Sequence, residues 1–420
     1  MLYIDAMKNM GINGKRILVI GINFSPELTG IGKYTGEMVQ WLVQEGYDCN
    51  VITGFPYYPD WKIKYPYKGF FYKKEVPDAG RLKIYRCPLY VPKSPTGLKR
   101  VLHDASFFLS SLFVVILFLF KKKNQYVFCI APPFHMGFLA LFYRFIKGGK
   151  IIYHIQDMQI DAARDLKVLK PDWIFTLLFA FEKVILNHVD IISTISQGML
   201  KRISAKVDKP VLLFPNWAET EALFPMPKNE EMKKELGFDP QDKIVLYSGG
   251  IGEKQGLESL IRVAKQMEDN KNIKIVICGA GPYKDKLIHF AEENKLINIR
   301  FLPLQGKDVF NSFLNLADIH LVLQKKEAGD LVMPSKLLNI LSVGGLAIVM
   351  ANPGTSLFEM IRDNNMGVII PPEDEKALKK AILNCCSQDY VLQRKNARNY
   401  AETYLNKTAI LNNMMQKVNA

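Results

Sequence analysis

No CxxC pair joins any of the six cysteines (Cys49, Cys87, Cys129, Cys278, Cys385, Cys386), and no histidine-rich stretch accompanies them. That excludes a zinc finger or ribbon and a disulfide framework, and it fits a reducing cytoplasm. No convincing loop carries an Asp-x-Asp metal motif. The opening MLYIDAMKNMGINGKR lacks the apolar core of a secretion signal, so residues 1–14 are expected to be a short preamble. Nor does any apolar run reach full spanning length. ASFFLSSLFVVILFLF (105–120) covers about 24 Å as a helix, short of the roughly 20 residues that a bilayer asks for.

What is present describes an ordinary globular chain. Its 420 residues suit two domains, and 49% apolar with 23% charged residues is neither disordered nor fibrous. The charge is lopsided: residues 1–150 hold 21 Lys and Arg against 9 Asp and Glu, so +12 of the net +14 lies in the first third. A basic face can serve nucleic acid or an anionic membrane. The membrane is favoured, because 105–120 runs straight into Lys121-Lys122-Lys123. That segment has three readings: a buried core helix, a helix docked on the cytoplasmic leaflet with its lysines at headgroups, or a true transmembrane helix.

Strand and helix alternate twice along the chain. KRILVIGINF (15–24), DCNVITGF (48–55), QYVFCIAPP (125–133), GKIIYHIQD (149–157), DIISTIS (190–196) and PVLLFPNW (210–217) read as strands of a first half, with a helix over 32–46. Residues 56–100, rich in Tyr, Pro and Lys, read as a long irregular excursion. KIVLYSGG (243–250), IKIVICGAGP (273–282), NIRFLPL (298–304), IHLVLQ (319–324), LAIVMAN (346–352) and GVIIPP (367–372) restart the rhythm. Helix-length segments between strands call for parallel sheets covered on both faces. The expected architecture is α/β: two doubly wound, Rossmann-like domains facing a cleft, over 15–217 and 241–395. A linker at 218–240 joins them, and a tail helix lies within 396–420.

Several loops at strand ends are candidates for binding. FSPELTGIGKYTGE (24–37) places Gly30 and Gly32 before a helix start, where backbone can approach a ligand or simply turn tightly. It is a poor dinucleotide fingerprint: the glycine spacing is wrong, and Thr53-Gly54-Phe55 offers no acid for a ribose, which excludes a nicotinamide oxidoreductase. In HIQDMQIDAARD (154–165), Asp157 at a strand end is either a carboxylate that orients a hydroxyl or a helix N-cap. His154 reads as a satisfied interior histidine, and Asp161 and Asp165 as helix-face charges. YSGGIGEKQGL (247–257) supplies Gly249, Gly250 and Lys254, and GAGP (279–282) supplies Gly279 and Gly281. GDLVMPSKLLNILSVGG (329–345) opens a helix on Pro334-Ser335-Lys336. Proline suits a first helical position, and the free amides beside a lysine form an anion site. Together these loops point to a nucleotide diphosphate, with the lysines as point charges.

FSPELTGIGKYTGEMVQWLVQEGYDCNVITGFPYYP, HIQD, LFPNWAE, YSGGIGEKQGLESLI, GAGP and MPSKLLNIL occur in the order typical of retaining glycosyltransferases of the GT-B fold, family four. Among these the chain most resembles the bacterial branch that includes the colanic-acid fucosyltransferases, from about residue 15 to the tail. The resemblance implies that the second domain binds a nucleotide-sugar donor, the first domain an acceptor, and that the tail helix returns to the first domain. It implies no metal and no further cofactor. Lys254 and the amides of Ser335 and Lys336 would hold the diphosphate, Gly30 and Gly32 would close over it, and Asp157 would lie on the acceptor side. The family's Glu-x7-Glu pair would fall at 331 and 339, where this chain has Leu331 and Asn339. Asparagine still hydrogen-bonds a ribose hydroxyl, without charge assistance. Glu327 and Asp330 either meet the sugar or are solvated loop acids.

The expected activity is transfer of a hexosyl or fucosyl group, with retention, to a saccharide or polyprenyl-diphosphate-linked acceptor at the inner face of the cytoplasmic membrane. No nucleic acid is expected. A sugar-nucleotide 2-epimerase on the same fold and a catalytically degenerate scaffold are the alternatives.

Overall fold

A computed structural model describes residues 14–69, 71–77, 80–165, 172–326 and 334–420, apart from the side chains at positions 165, 172 and 254. The chain divides into two compact units: Met1–Phe214 with Met414–Ala420, and Pro215–Asn413.

Strand β1 (Arg16–Ile20) is RILVI, a run buried on both faces, and such runs suit the middle of a parallel sheet. It pairs in parallel with β2 (Asp48–Gly54) on one side and β5 (Tyr126–Ala131) on the other. Helix α1 (Gly30–Gln44) joins β1 to β2. Beyond β5 the sheet continues through β6 (Lys150–Ile155), β7 (Ile191–Thr194) and β8 (Val211–Leu213). Beyond β2 it continues through β4 (Leu82–Cys87), parallel to β2, and β3 (Lys73–Glu75), antiparallel to β4. These last two strands correct the reading of 56–100 as irregular. LKIYRC alternates like a strand, but its inward positions include Arg86, only 2% exposed, whose charge hides the pattern. Arg86 is accommodated by an ion pair to Glu75 on β3 at 3.2 Å and by donating to the Ser25 carbonyl at 2.6 Å.

Four more helices flank the sheet: α2 (Gly97–Leu119), α3 (Met136–Lys147), α4 (Gln159–Asp165) and α5 (Asp172–His188). Helix α6 (Gln197–Ser204) connects β7 to β8. His154 is the interior histidine expected, bonded to Ser193 Oγ at 3.0 Å and held neutral by burial, its pKa lowered to about 3. Asp161 is a correction. It is buried, not a surface charge, because Lys206 reaches it at 2.6 Å while also binding Glu182 at 2.7 Å.

Helix α2 bears out the core-helix reading of 105–120 along one stripe. His103, Phe107, Ser111, Val114, Val115 and Phe118 recur one turn apart and are buried. That stripe packs on α3, β2 and β4. The opposite face leaves Leu98, Val101, Leu102, Leu109, Phe113, Ile116 and Leu117 exposed. By length and composition alone α2 could cross a membrane, yet a third of it is buried in the unit.

The second unit is a six-stranded, fully parallel sheet in the order β11-β10-β9-β12-β13-β14. After α7 (Glu230–Glu235) these are β9 (Lys243–Ser248), β10 (Ile273–Cys278), β11 (Ile299–Leu302), β12 (Ile319–Val322), β13 (Ala347–Met350) and β14 (Val368–Ile370). Helices α8 (Glu258–Lys265), α9 (Lys284–Glu293), α10 (Lys307–Asn315), α11 (Ser335–Ser342), α12 (Ser356–Asp363) and α13 (Glu375–Ser387) connect and cover them. Leu223 and Phe238, within the expected linker 218–240, belong to this unit's core. The tail is two helices rather than one, α14 (Val391–Tyr404) and α15 (Lys407–Asn419). The end of α15 clusters with the first unit, where Tyr126 donates to Asn419 Oδ1 at 2.7 Å and Lys150 to the Val418 carbonyl at 2.9 Å.

Candidate functional site

In the second unit Cys278 of β10 sits in register with Ser248 of β9, so the loops leaving these strands start level. They then lace together. Gly249 N donates to the Cys278 carbonyl (3.0 Å), Ile251 N to the Ala280 carbonyl (2.9 Å), and Tyr283 N to the Ile251 carbonyl (3.3 Å). Glycine is demanded here by close approach: a Cβ on Gly279 would lie 1.9 Å from the Gly249 oxygen, and one on Gly281 2.1 Å from the Ile251 oxygen. Tyr247 ties the rim by donating to the Gly250 carbonyl at 2.6 Å.

Lys336 enters this seam from the first turn of α11. Its methylene stem passes Gly249, whose added Cβ would come 3.2 Å from Lys336 Cε. Its Nζ stands 3.4 Å above the centroid of the Tyr247 ring, shut from solvent and with no hydrogen-bond partner among the described residues. Burial drives the ammonium pKa well below its usual value. A buried amine with three unmet hydrogen-bonding positions costs stability unless something else makes use of it. Around it, α11 begins on Pro334 with no side-chain cap, and the first-turn amides of Ser335 and Lys336 have no acceptor among the described residues. A lysine amine and a helix N-terminus thus belong to the same turn, the chemistry of an anion site. Asn339 lies one turn further along α11, half-buried. The side chain of Lys254, and Glu327, Asp330 and Leu331, lie outside the described residues.

In the first unit Gly30 opens α1 at φ +63°, and a Cβ there would meet only Tyr58, at 3.6 Å. Gly32 has a packing reason of its own: a Cβ would fall 2.4 Å from Glu27 Oε2. Glu27, which the sequence reading passed over, is a buried hub. Its Oε1 accepts from the amides of Tyr57 (3.1 Å) and Tyr58 (3.0 Å), and its Oε2 from Asn23 (3.0 Å). Burial outweighs these bonds and the nearby Arg86, lifting its pKa from 4.5 to about 7. Between those values the folded protein keeps a proton that the unfolded chain has released. Its contribution to stability is therefore full below about pH 4.5, shrinks as pH rises and is gone above about pH 7. Glu27→Gln is expected to remove a slope worth on the order of 3 kcal/mol across that window. Thermal melts of both proteins from pH 5 to 8 check this, and equal slopes would refute it.

A second cluster lies at the carboxyl ends of β2 and β6, where open sheets of this kind bind ligands. His103 on α2 donates through Nδ1 to the Tyr90 carbonyl (2.5 Å), and its ring meets those of Tyr57 (4.6 Å) and Trp61 (5.1 Å). Asp104 accepts from Gln159 Nε2 at 2.8 Å, and burial lifts its carboxyl to about 6 against the pull of Arg100. Asp157 lies two residues past β6 and two before α4, so it does not occupy the position just ahead of the helix. Its Oδ1 is shut from solvent. No single motif marks this cluster in the sequence, since its members come from four separate segments.

Residues 228–404 match the family described as glycosyl transferases group 1, and residues 29–217 the glycosyl transferase 4-like domain. Over 414 residues, 96% of this chain and 99% of the relative, the sequence is 39% identical to WcaI of Escherichia coli (strain K12), whose name assigns it to colanic acid biosynthesis as a glycosyl transferase. Sucrose-phosphate synthase from Thermosynechococcus elongatus matches in structure with a TM-score of 0.75 at 15% identity, covering 96% of this chain and 98% of that one. HepE of Anabaena in complex with UDP-glucose matches with a TM-score of 0.68 at 11% identity, covering 96% and 99%. These two likenesses concern the fold.

Proposed function

Because the chain belongs to the group 1 glycosyl transferases, with two parallel-sheet units of GT-B type, we propose that it moves a sugar from a nucleoside-diphosphate sugar to a saccharide acceptor in surface polysaccharide assembly, with retention of configuration. The observation that carries the donor assignment is Lys336, a buried amine without a hydrogen-bond partner among the described residues, in the first turn of a helix with no side-chain cap. The WcaI name supports the polysaccharide setting, and the UDP-glucose bound by HepE supports a nucleotide-sugar donor.

In this reading the bond between the anomeric carbon and the β-phosphate oxygen breaks while Lys336 and the amides of Ser335 and Lys336 take up the developing charge. The acceptor oxygen bonds to the anomeric carbon on the same face, and its proton passes to the departing phosphate oxygen. Lysine and amides supply the charge that a divalent metal supplies elsewhere, so no metal is required. Asp157 orients the acceptor hydroxyl. Transfer of a labelled sugar from the donor in the presence of chelator, with the anomeric configuration of the product read by NMR, tests the proposal. An inverted product or strict metal dependence would refute it.

The acceptor is proposed to be lipid-linked and the protein peripheral on the inner face of the cytoplasmic membrane. Helix α2 packs on α3, and α3 on α5. All three leave large apolar side chains exposed, among them Phe113 (53%), Phe145 (89%) and Trp173 (67%). Lys121, Lys122, Lys123 and Lys147 lie at the ends of these helices, placed for anionic headgroups. Replacing Phe113 and Phe145 by Asp removes two insertable rings, each worth ~1.5–3 kcal/mol. Sedimentation with phosphatidylglycerol-containing vesicles is expected to weaken by roughly a hundredfold or more, and unchanged binding would place the protein off the bilayer.

A further inference from the structure

The cluster on the first turns of α2 contains an imbalance that identifies a ligand class. Asp104 uses one carboxylate oxygen on Gln159, and its other oxygen has no partner among the described residues. Gln159 Oε1 is buried and likewise without a partner. His103, 1% exposed, spends its Nδ1 proton on the Tyr90 carbonyl, which leaves Nε2 as a lone-pair acceptor, also buried and without a partner. Two segments, α2 and α4, thus present acceptors in want of donors. Buried acceptors are normally satisfied, so such a set calls for a molecule that donates several hydrogen bonds. Phosphates and carboxylates are excluded by the same count, since they bring only acceptors. Beside these atoms the ring of Trp61, half-buried at the surface and backed by the buried Tyr57 ring, offers an apolar surface. Donor hydroxyls on one edge and C–H groups on a flat face describe a pyranose.

We propose that Asp104 and Gln159, with the Tyr57–His103–Trp61 rings beside them, bind hydroxyls of a sugar of the acceptor. This rests on the transferase reading and deepens it. Because α2 turns its other face outward as an apolar surface, the sugar recognised sits about one helix diameter, ~10–12 Å, from that surface. The sugar it fits is therefore one close to the lipid end of the acceptor, and Arg100 on the same helix lies near Asp104 for the adjoining phosphate.

The test uses the full chain without donor, titrated with butyl glycosides of glucose, galactose, fucose and N-acetylglucosamine and followed by saturation-transfer NMR. At least one glycoside is expected to bind saturably. Asp104→Asn keeps an oxygen for Gln159 and so keeps the local structure. It removes the charge-assisted bond, and affinity is expected to fall roughly tenfold or more. Gln159→Leu is expected to weaken binding several-fold. In the wild type affinity should fall as pH drops below about 6, where Asp104 takes up a proton, and this dependence should vanish in Asp104→Asn. A purely structural role would leave no such pH signature. Binding by neither variant being altered, or no glycoside binding to the wild type, overturns the proposal. Nucleoside diphosphate binding in the same samples reports on Lys336 separately, so its loss would count against the transferase reading instead.

Discussion

Lys336→Met is expected to slow transfer by about 10²–10³ while leaving the unliganded protein as stable as before, or more so. Methionine matches the length of the lysine stem beside Gly249 and over the Tyr247 ring, so no cavity opens. What disappears is a buried amine without a hydrogen-bond partner among the described residues, which costs the folded protein about 1–3 kcal/mol. What also disappears is the charge that meets the diphosphate, and removing one such contact from a developing anion lowers kcat by about 10²–10³. Loss of activity together with a raised melting temperature distinguishes a group kept for chemistry from one kept for folding. Arginine is not expected to rescue the activity, because its planar head is bulkier and Gly249 already approaches the stem closely. Rates of donor turnover and thermal melts of the three proteins decide the matter. A variant that loses activity and stability together would make Lys336 structural.

Gly279→Ala is expected to have the largest effect on folding. Its Cβ would sit 1.9 Å from the Gly249 carbonyl oxygen, a contact with backbone that no rotamer can relieve. The ladder between the two loops must open, freeing the bonds from Gly249 N and Ile251 N. The cost is on the order of 4 kcal/mol, at the far end of single-substitution effects. Nucleotide binding goes with it, since Gly249 forms part of the seat of Lys336. Gly250→Ala is the control: a Cβ there meets nothing within 4 Å, so stability should hold within about 0.5 kcal/mol. Denaturant unfolding of the pair checks the contrast, and equal stabilities would show that the interlocked loops carry no load.

The elements with unmixed apolar runs were legible in the sequence. RILVI, YVFCIA and KIVLYS needed no context to be read as buried parallel strands, and the strand–glycine–helix rhythm led to the GT-B resemblance that the comparisons bear out. Strand β4 was not legible because its inward Arg86 depends on Glu75, a partner eleven residues away on a strand that exists only once β4 does. Asp161 was misread for the same kind of reason: Lys206, which pairs with it, lies forty-five residues further on. At the site, the Pro-Ser-Lys turn and the glycine loops could be found one by one. That Lys336 rests on Tyr247 could not, since a buried tyrosine inside a strand gives no sign of what lies on its ring. Glu27 was hidden by its own burial, because a glutamate in a glycine-rich loop reads as solvated until Gly32 and the Tyr57 and Tyr58 amides are seen to enclose it.

The most direct test of the donor site is calorimetric titration of UDP, GDP, ADP and dTDP at pH 8.5, in buffers of differing ionisation enthalpy, without metal. Burial lowers the Lys336 ammonium pKa well below its usual value in the free protein and a bound diphosphate favours the ammonium, so binding is expected to be accompanied by proton uptake. One nucleotide is expected to bind with net proton uptake, and Lys336→Met to lose both the affinity and the uptake. No heat with any of the four at millimolar concentration, or binding that is indifferent to Lys336, would contradict the assignment.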